Sequence, residues 1–285
     1  MFKVLMGHQV VNDVKETVGP YKATCISKET LLNILESHKN LTGLDIRAFS
    51  AAKDFSYNYI CLTFDDGFKE YIENVLPIAE KFEIPCIIFL TTGYIDNELI
   101  PYEIELATII DSLEKIITPD GKSYQTNTNK RKQNVYESIR LPLKMVTNQH
   151  RQKYLRELIR INNCSVVLRQ NIKFLTWEDI VALDRHPLIR IGAHTHTHPY
   201  LPALSFRSAF NEIKKPKNRI EKVLGHSIDC FSYPYGGHSL KIRILARLSG
   251  FKYAFTTEST PIKNADYNRM AIPRIDMNQM VTNLD

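Results

Sequence analysis

The 285-residue sequence predicts an α/β fold, a distorted (β/α) barrel of about seven parallel strands with a helical insertion. Three observations predict it. Short β-branched, apolar runs recur along the chain, segments of helical period separate them, and polar residues able to do chemistry stand directly after several runs. The runs are Phe2 to Gly7, Tyr59 to Phe64, Cys86 to Thr91, Ile189 to Ala193, Cys230 to Tyr233, Tyr253 to Thr256 and Ala271 to Ile275. Each is long enough for one pass through a core, and seven such strands suffice to close a barrel.

Between the runs, Ser27 is a candidate N-cap for LLNILESH, and Phe68 to Phe82 places Tyr71, Val75, Leu76 and Ile78 at helical spacing. Thr176 with Asp179 resembles a capping box. Phe206 to Leu224 is amphipathic, with Pro216 expected to kink or split it. From about 101 to 171 there is no convincing strand: a polar run, GKSYQTNTNKRKQN, precedes helical patterns over Val135 to Leu143 and His150 to Ile161. This stretch is expected to be a mainly helical insertion in a single domain spanning 1–285, with the basic cluster Lys130, Arg131 and Lys132 read as a solvated loop.

The composition, 44% hydrophobic and 24% charged, is that of a globular chain and excludes disorder as the default. A formal net charge of +6 is explained by solubility as well as by an anionic partner, and no nucleic-acid partner is expected. Five scattered cysteines with no C-x-x-C pair fit a reduced chain. The start MFKVLMGHQVV lacks the apolar region and cleavage site of a signal peptide, and no segment has the length of a membrane span. A cytoplasmic location is the resulting expectation, and a removed leader would make it an exported one. Oligomeric state is not legible.

TFDDG at Thr63 to Gly67 sets two carboxylates where a buried strand ends, the rim at which barrel enzymes place their chemistry. Neighbouring side chains there point different ways, so Asp65 and Asp66 can serve one site from two angles, one on a metal and one on a water; equally, Asp66 can shape an Asp-Gly turn. His194-Thr195-His196-Thr197-His198 follows the run IRIGA. Two imidazoles and one carboxylate form a chemically complete ligand set for a divalent ion with a position left open for water. A helical turn after the strand would bring His194 and His198 to one face and leave His196 a structural or surface role. Phe231 to Gly237, FSYPYGG, is a third strand end, whose turn can present a backbone N–H to a developing oxyanion or be an ordinary loop.

Taken in order, TFDDG, H-T-x-x-H and SYPYGG resemble the polysaccharide deacetylases of the NodB-homology type, carbohydrate esterase family 4. FLTWEDIVAL, with Trp177, and IPRID near the C-terminus extend the resemblance over nearly the whole chain outside the insertion. The resemblance implies a barrel that binds a divalent metal, zinc first and cobalt, nickel or iron as alternatives, through Asp66, His194 and His198. It makes Asp65 the general base and gives the oxyanion to the Tyr235 backbone N–H, with Pro234 fixing that turn. Trp177, Tyr235 and Arg274 are the candidate sugar contacts.

The sequence departs from the family pattern twice. Ser232 stands where an Arg commonly braces the catalytic Asp; Arg274 is the candidate substitute, a structural salt bridge its other reading. The C-terminal Leu-x-His, whose His acts as general acid, is missing, since no histidine follows His238. A circularly permuted subset of the family carries that histidine on the first strand, which makes His8 the expected acid; a satisfied core histidine is the alternative. The expected substrate is an N-acetylated glycan or sugar precursor. Competing readings are an O-acetyl esterase, an amidase, and a catalytically silent glycan-binding relative.

Overall fold

The computed structural model describes residues 1–17, 19–51, 57–164, 172–264 and 266–281. Seven parallel strands form its central sheet: β1 (Phe2–Gly7), β2 (Tyr59–Phe64), β3 (Cys86–Leu90), β4 (Ile189–Ala193), β5 (Cys230–Ser232), β6 (Tyr253–Phe255) and β7 (Ile275–Asp276). Each of β1 to β5 pairs with its successor, in registers such as Phe2 with Tyr59, Leu62 with Cys86 and Cys86 with Ile189, while β7 pairs with β1 through Leu5 and Ile275. A single parallel bridge between Phe255 and Ile272 links β6 to the chain entering β7 and closes the ring. The seventh strand is therefore shorter than the run Ala271 to Ile275 suggests. Pro273 has no N–H for a ladder, so the run bonds β6 on one side of the proline and β1 on the other. Thr42–Gly43 adds a short eighth strand beside β2.

The strands are buried on both faces, and their residues divide by alternation. Leu62, Phe64, Ile88, Leu90, Ile191 and Phe231 belong to the larger core, beneath the helices. Val4, Cys61, Ile87, Phe89, Cys230 and Phe255 form a separate cluster that fills the barrel. Gly192 makes room there, because a Cβ at this position would stand 2.5 Å from the Phe89 ring. The inward-facing parity turns polar toward the carboxyl ends. Cys61 leads to Thr63 and Asp65, Gly192 to His194, Cys230 to Ser232, and Val4 to His8.

The outer helices include α1 (Lys28–Glu36), α2 (Leu76–Phe82), α3 (Tyr102–Asp111), α4 (Asn129–Lys144), α5 (Asn148–Ile161), α6 (Trp177–Asp184), α7 (Phe206–Leu224) and α8 (Leu240–Leu248). Ser27 caps α1, and Thr176 with Asp179 forms the full capping box of α6. Two elements differ from the sequence expectation. The turn before α2, Tyr71–Val75, is π-helical, and α7 runs through Pro216, whose burial offsets the one missing backbone bond. The expected insertion contains α3, α4 and α5, but also an antiparallel hairpin, Lys115–Ile117 with Ser123–Gln125, which its polar composition concealed. Lys130, Arg131 and Lys132 lie in the start of α4 rather than in a loop, with Lys132 paired to Asp111 at 2.8 Å. Residues 165–171, the end of that expected insertion, lie outside the described residues. Among the described residues no helix is long and apolar enough to cross a membrane.

Candidate active site

The polar carboxyl ends open into a cavity of ≈ 180 Å³ that His8, Asp65, Asp66, His194, His198 and Tyr235 line together. Asp66, His194 and His198 are all buried, and each offers one ligand atom within 4.8 Å of the others. Asp66 Oδ1 lies 3.9 Å from His194 Nε2 and 3.7 Å from His198 Nε2. Asp66 takes φ 79° and is followed by Gly67 at φ 86°, so the turn and ligand readings of this residue coexist: the left-handed turn is what aims the carboxylate.

The histidine pair is the expected one, but the expected helical turn is absent. Thr195 and His198 have φ 67° and 52°, and the segment is an irregular loop in which the Thr195 hydroxyl accepts the His198 N–H at 3.1 Å. A left-handed β-branched residue is a strained one. Glu212 on α7 holds the loop in place by accepting the N–H groups of His196 and Thr197 at 3.0 and 2.9 Å and the Thr197 hydroxyl at 2.8 Å. His196 turns away to Thr92 and Lys215, a structural role as expected.

Both ligand imidazoles have their tautomers set from behind. His194 Nδ1 lies 2.8 Å from the Ser232 carbonyl, an acceptor only, so Nδ1 carries the proton and Nε2 presents its lone pair toward Asp66. His198 Nδ1 lies 3.1 Å from the Tyr235 hydroxyl, which itself donates to Glu103 at 2.5 Å. Burial pushes His194 down to about 4 and His198 well below its ordinary value, so both rings are neutral. Burial, with the charges of Asp65 and Glu103, pushes Asp66 up. Two neutral imidazoles and a carboxylate among carboxylates form a site short of positive charge, and this donor set fits a divalent metal ion.

Asp65 differs from Asp66 in its surroundings. Burial alone would raise it, but the charge and hydrogen bonds of the Arg274 guanidinium outweigh burial and hold it below the usual carboxylate range. Arg274 donates from Nη1 to Oδ1 at 2.8 Å and from Nη2 to Oδ2 at 2.7 Å, a bidentate pair. The Ser232 hydroxyl donates to the same Oδ2 at 3.2 Å and accepts from Arg274 at 2.9 Å, while Arg274 Nε donates to the Thr256 carbonyl. Arg274 thus braces Asp65 in the place that Ser232 leaves open. It is 0% exposed with its nitrogens engaged, so it has nothing to offer a sugar, contrary to its expected role as a substrate contact. Trp177 does not line the cavity either: its indole N–H donates to Asp96 and its ring carries Arg219, 4.6 Å away.

His8 follows β1 and lines the cavity, and its buried Nδ1 has no hydrogen-bond partner among the described residues. It is therefore not a satisfied core histidine. Tyr235 sits at φ 57° in the turn after β5, where Gly236 and Gly237 bond back to Tyr233 and Pro234. Its own N–H meets no backbone acceptor among the described residues. The sequence reading missed Glu103, Glu212 and Arg151. Arg151, 1% exposed, donates from Nη1 to the His198 carbonyl at 2.9 Å and from its other nitrogens to Leu143 and Lys144. A signal for it was present: Arg151 shares helical spacing with the buried Leu155 and Leu158.

A family model described as polysaccharide deacetylase matches residues 52–254. The chain belongs to the polysaccharide deacetylase family and is a deacetylase enzyme. Solved structures share its fold. The Streptococcus pyogenes deacetylase PplD, in complex with acetate, aligns over 100% of this chain and 98% of its own at TM-score 0.61 and 14% identity. A de-N-acetylase from Aggregatibacter actinomycetemcomitans aligns over 100% and 99% at TM-score 0.62 and 15% identity. IcaB from Ammonifex degensii aligns over 96% and 90% at TM-score 0.61 and 15% identity. No curated protein sequence matches the chain.

Proposed function

We propose that the protein removes acetyl groups from N-acetylated sugars of a polysaccharide or its precursor, with zinc or a similar divalent ion held by Asp66, His194 and His198. The observation that carries this reading is the pairing of a cation-ready ligand set with a second, ionised carboxylate: Asp65 Oδ2 lies 3.8 Å from His194 Nε2 in one cavity. Binding alone has no need of that second carboxylate. The fold relative named a de-N-acetylase supports the choice of an acetamide, and the deacetylase seen with acetate fits removal of an acetyl group.

When bound, the ion would acidify water and polarise the acetyl carbonyl. Asp65, held ionised and oriented by Arg274 and Ser232, accepts the proton of the attacking water. The Tyr235 N–H donates to the oxygen as it gains charge, a contact typically worth about 100 to 1000-fold in rate. His8, with an unengaged ring nitrogen, delivers a proton to the leaving amine, so acetate and the free amino sugar result. The acid thus comes from the first strand, as in the permuted arrangement the sequence resembles.

The test is acetate release by metal-loaded protein from N-acetylglucosamine oligomers and from aryl acetates. Wild type should release acetate, Asp65→Asn should lose several orders of magnitude, and His8→Ala should keep its metal and lose most turnover. No release from any substrate with metal bound would sink the reading. A preference for esters would turn it to O-deacetylation, and an unchanged His8→Ala would remove that residue from the reaction.

A further inference from the structure

We infer that Glu103, on the first helix of the 101–161 region, is a positioning residue for His198, acting through the Tyr235 hydroxyl. The inference rests on the metal reading above and extends it to a residue outside the strand-end motifs. A hydroxyl has one proton. Tyr235 gives its proton to Glu103 Oε1 at 2.5 Å, so toward His198 Nδ1, 3.1 Å away, it can only accept. Nδ1 must then carry hydrogen, and Nε2 keeps its lone pair on the side of Asp66, 3.7 Å off. His194 reaches the same state through a main-chain carbonyl; His198 has a three-part relay of carboxylate, phenol and imidazole.

Glu103 is hard to account for otherwise. It is 9% exposed in a helix whose Tyr102, Ile104, Leu106 and Ala107 are also buried, and no cation lies within ion-pairing distance of it among the described residues. A carboxylate buried without an ion pair is costly. Among the described residues its side chain hydrogen-bonds the Tyr235 hydroxyl, and Tyr235 is itself held in a left-handed conformation with its ring edge-on to His198, centroids 4.6 Å apart. Two unfavourable placements thus converge on one hydrogen bond behind one ligand. Outer partners that orient a ligating histidine raise its basicity and contribute about 10 to 100-fold in metal affinity.

Cobalt(II) titration of the whole protein, followed by its visible absorption band and by thermal unfolding, tests the relay without use of turnover. Tyr235→Phe, which removes one oxygen and keeps the ring, and Glu103→Leu should each weaken cobalt binding about 10 to 100-fold and alter the band. Glu103→Gln, still an acceptor but uncharged, should fall between these and wild type. The Tyr235→Phe/Glu103→Leu double variant should be little worse than either single one, because both break one relay. Should Glu103→Leu fail to fold, Tyr235→Phe carries the test. Variants that bind cobalt as wild type does, with the same band, overturn the inference. Wild type that takes up no cobalt overturns the metal reading itself, a different result.

Discussion

The two candidate ligand histidines lie four residues apart, yet they are supported by different parts of the molecule. His194 is held by the barrel: its backbone N–H bonds Leu90 on β3 and its ring bonds the Ser232 carbonyl on β5. His198 is held largely by the helices packed over the rim, through Glu103 by way of Tyr235 and through Arg151 at its carbonyl. The barrel side also contains the Asp65–Arg274–Ser232 cluster, where charge, packing and backbone are bound together. Disturbing the barrel side should therefore damage fold and site at once, whereas disturbing the helical side should damage the site more than the fold.

The largest effect is expected at Arg274. Arg274→Leu leaves the buried Asp65 charge unpaired and should cost about 3–5 kcal/mol of stability, together with nearly all activity. Adding Asp65→Asn should restore much of the stability and none of the turnover, since the uncompensated charge is gone but so is the proposed base. Thermal unfolding and acetate release on the three proteins check both halves. An Arg274→Leu protein as stable as wild type would mean that the barrel side is not the mechanical unit described here.

This division also explains what could be read from the sequence. Barrel positions alternate, so a strand such as Tyr59–Phe64 announces its inward face, and Asp65 and His194 are the next polar steps on that parity. The strands, Asp65 and His194 were legible for that reason; Asp66 and His198 stand off that parity and came from the ligand chemistry of the motifs. Arg274 entered as the candidate brace for Asp65 only through the family resemblance; spacing alone could not pair the two, because the contact spans 209 residues and depends on the ring closing between β6 and β7. The helical side was least legible. Glu103 meets Tyr235 across 132 positions, and only the acid's place in an apolar helix hinted at burial. His198 does stand beside His194, but left-handed residues, not a helical turn, bring it there.

A smaller effect is expected on the helical side at Arg151. Its guanidinium spans three carbonyls, of Leu143, Lys144 and His198, and stacks 4.4 Å over the Tyr102 ring. A lysine ammonium is a point donor and cannot span the three. Arg151→Lys should lose about 2 kcal/mol of stability and, relative to that loss, a larger share of its cobalt affinity. Equal cobalt affinity in a destabilised variant would reduce α5 to packing and break the contrast.

The smallest effect sharpens the contrast furthest, because stability and cation binding should move in opposite directions. Burial raises the Glu103 carboxyl above its ordinary value of 4.5, with Arg151 and the Tyr235 hydroxyl opposing. Between 4.5 and the raised value, the folded protein holds a proton that the unfolded chain has released. Unfolding free energy therefore falls as pH rises across that window, and the loss is complete once pH passes the folded value. Glu103→Gln has no such proton to lose. With cations removed by a chelator, its melting temperature should gain on wild type as pH rises above about 4.5. With cobalt present the order should reverse, because wild type binds the ion more tightly and ligand binding stabilises in proportion. Parallel pH profiles in chelator would deny that Glu103 is held at a cost to the fold. An unreversed order in cobalt would deny that the cost serves His198.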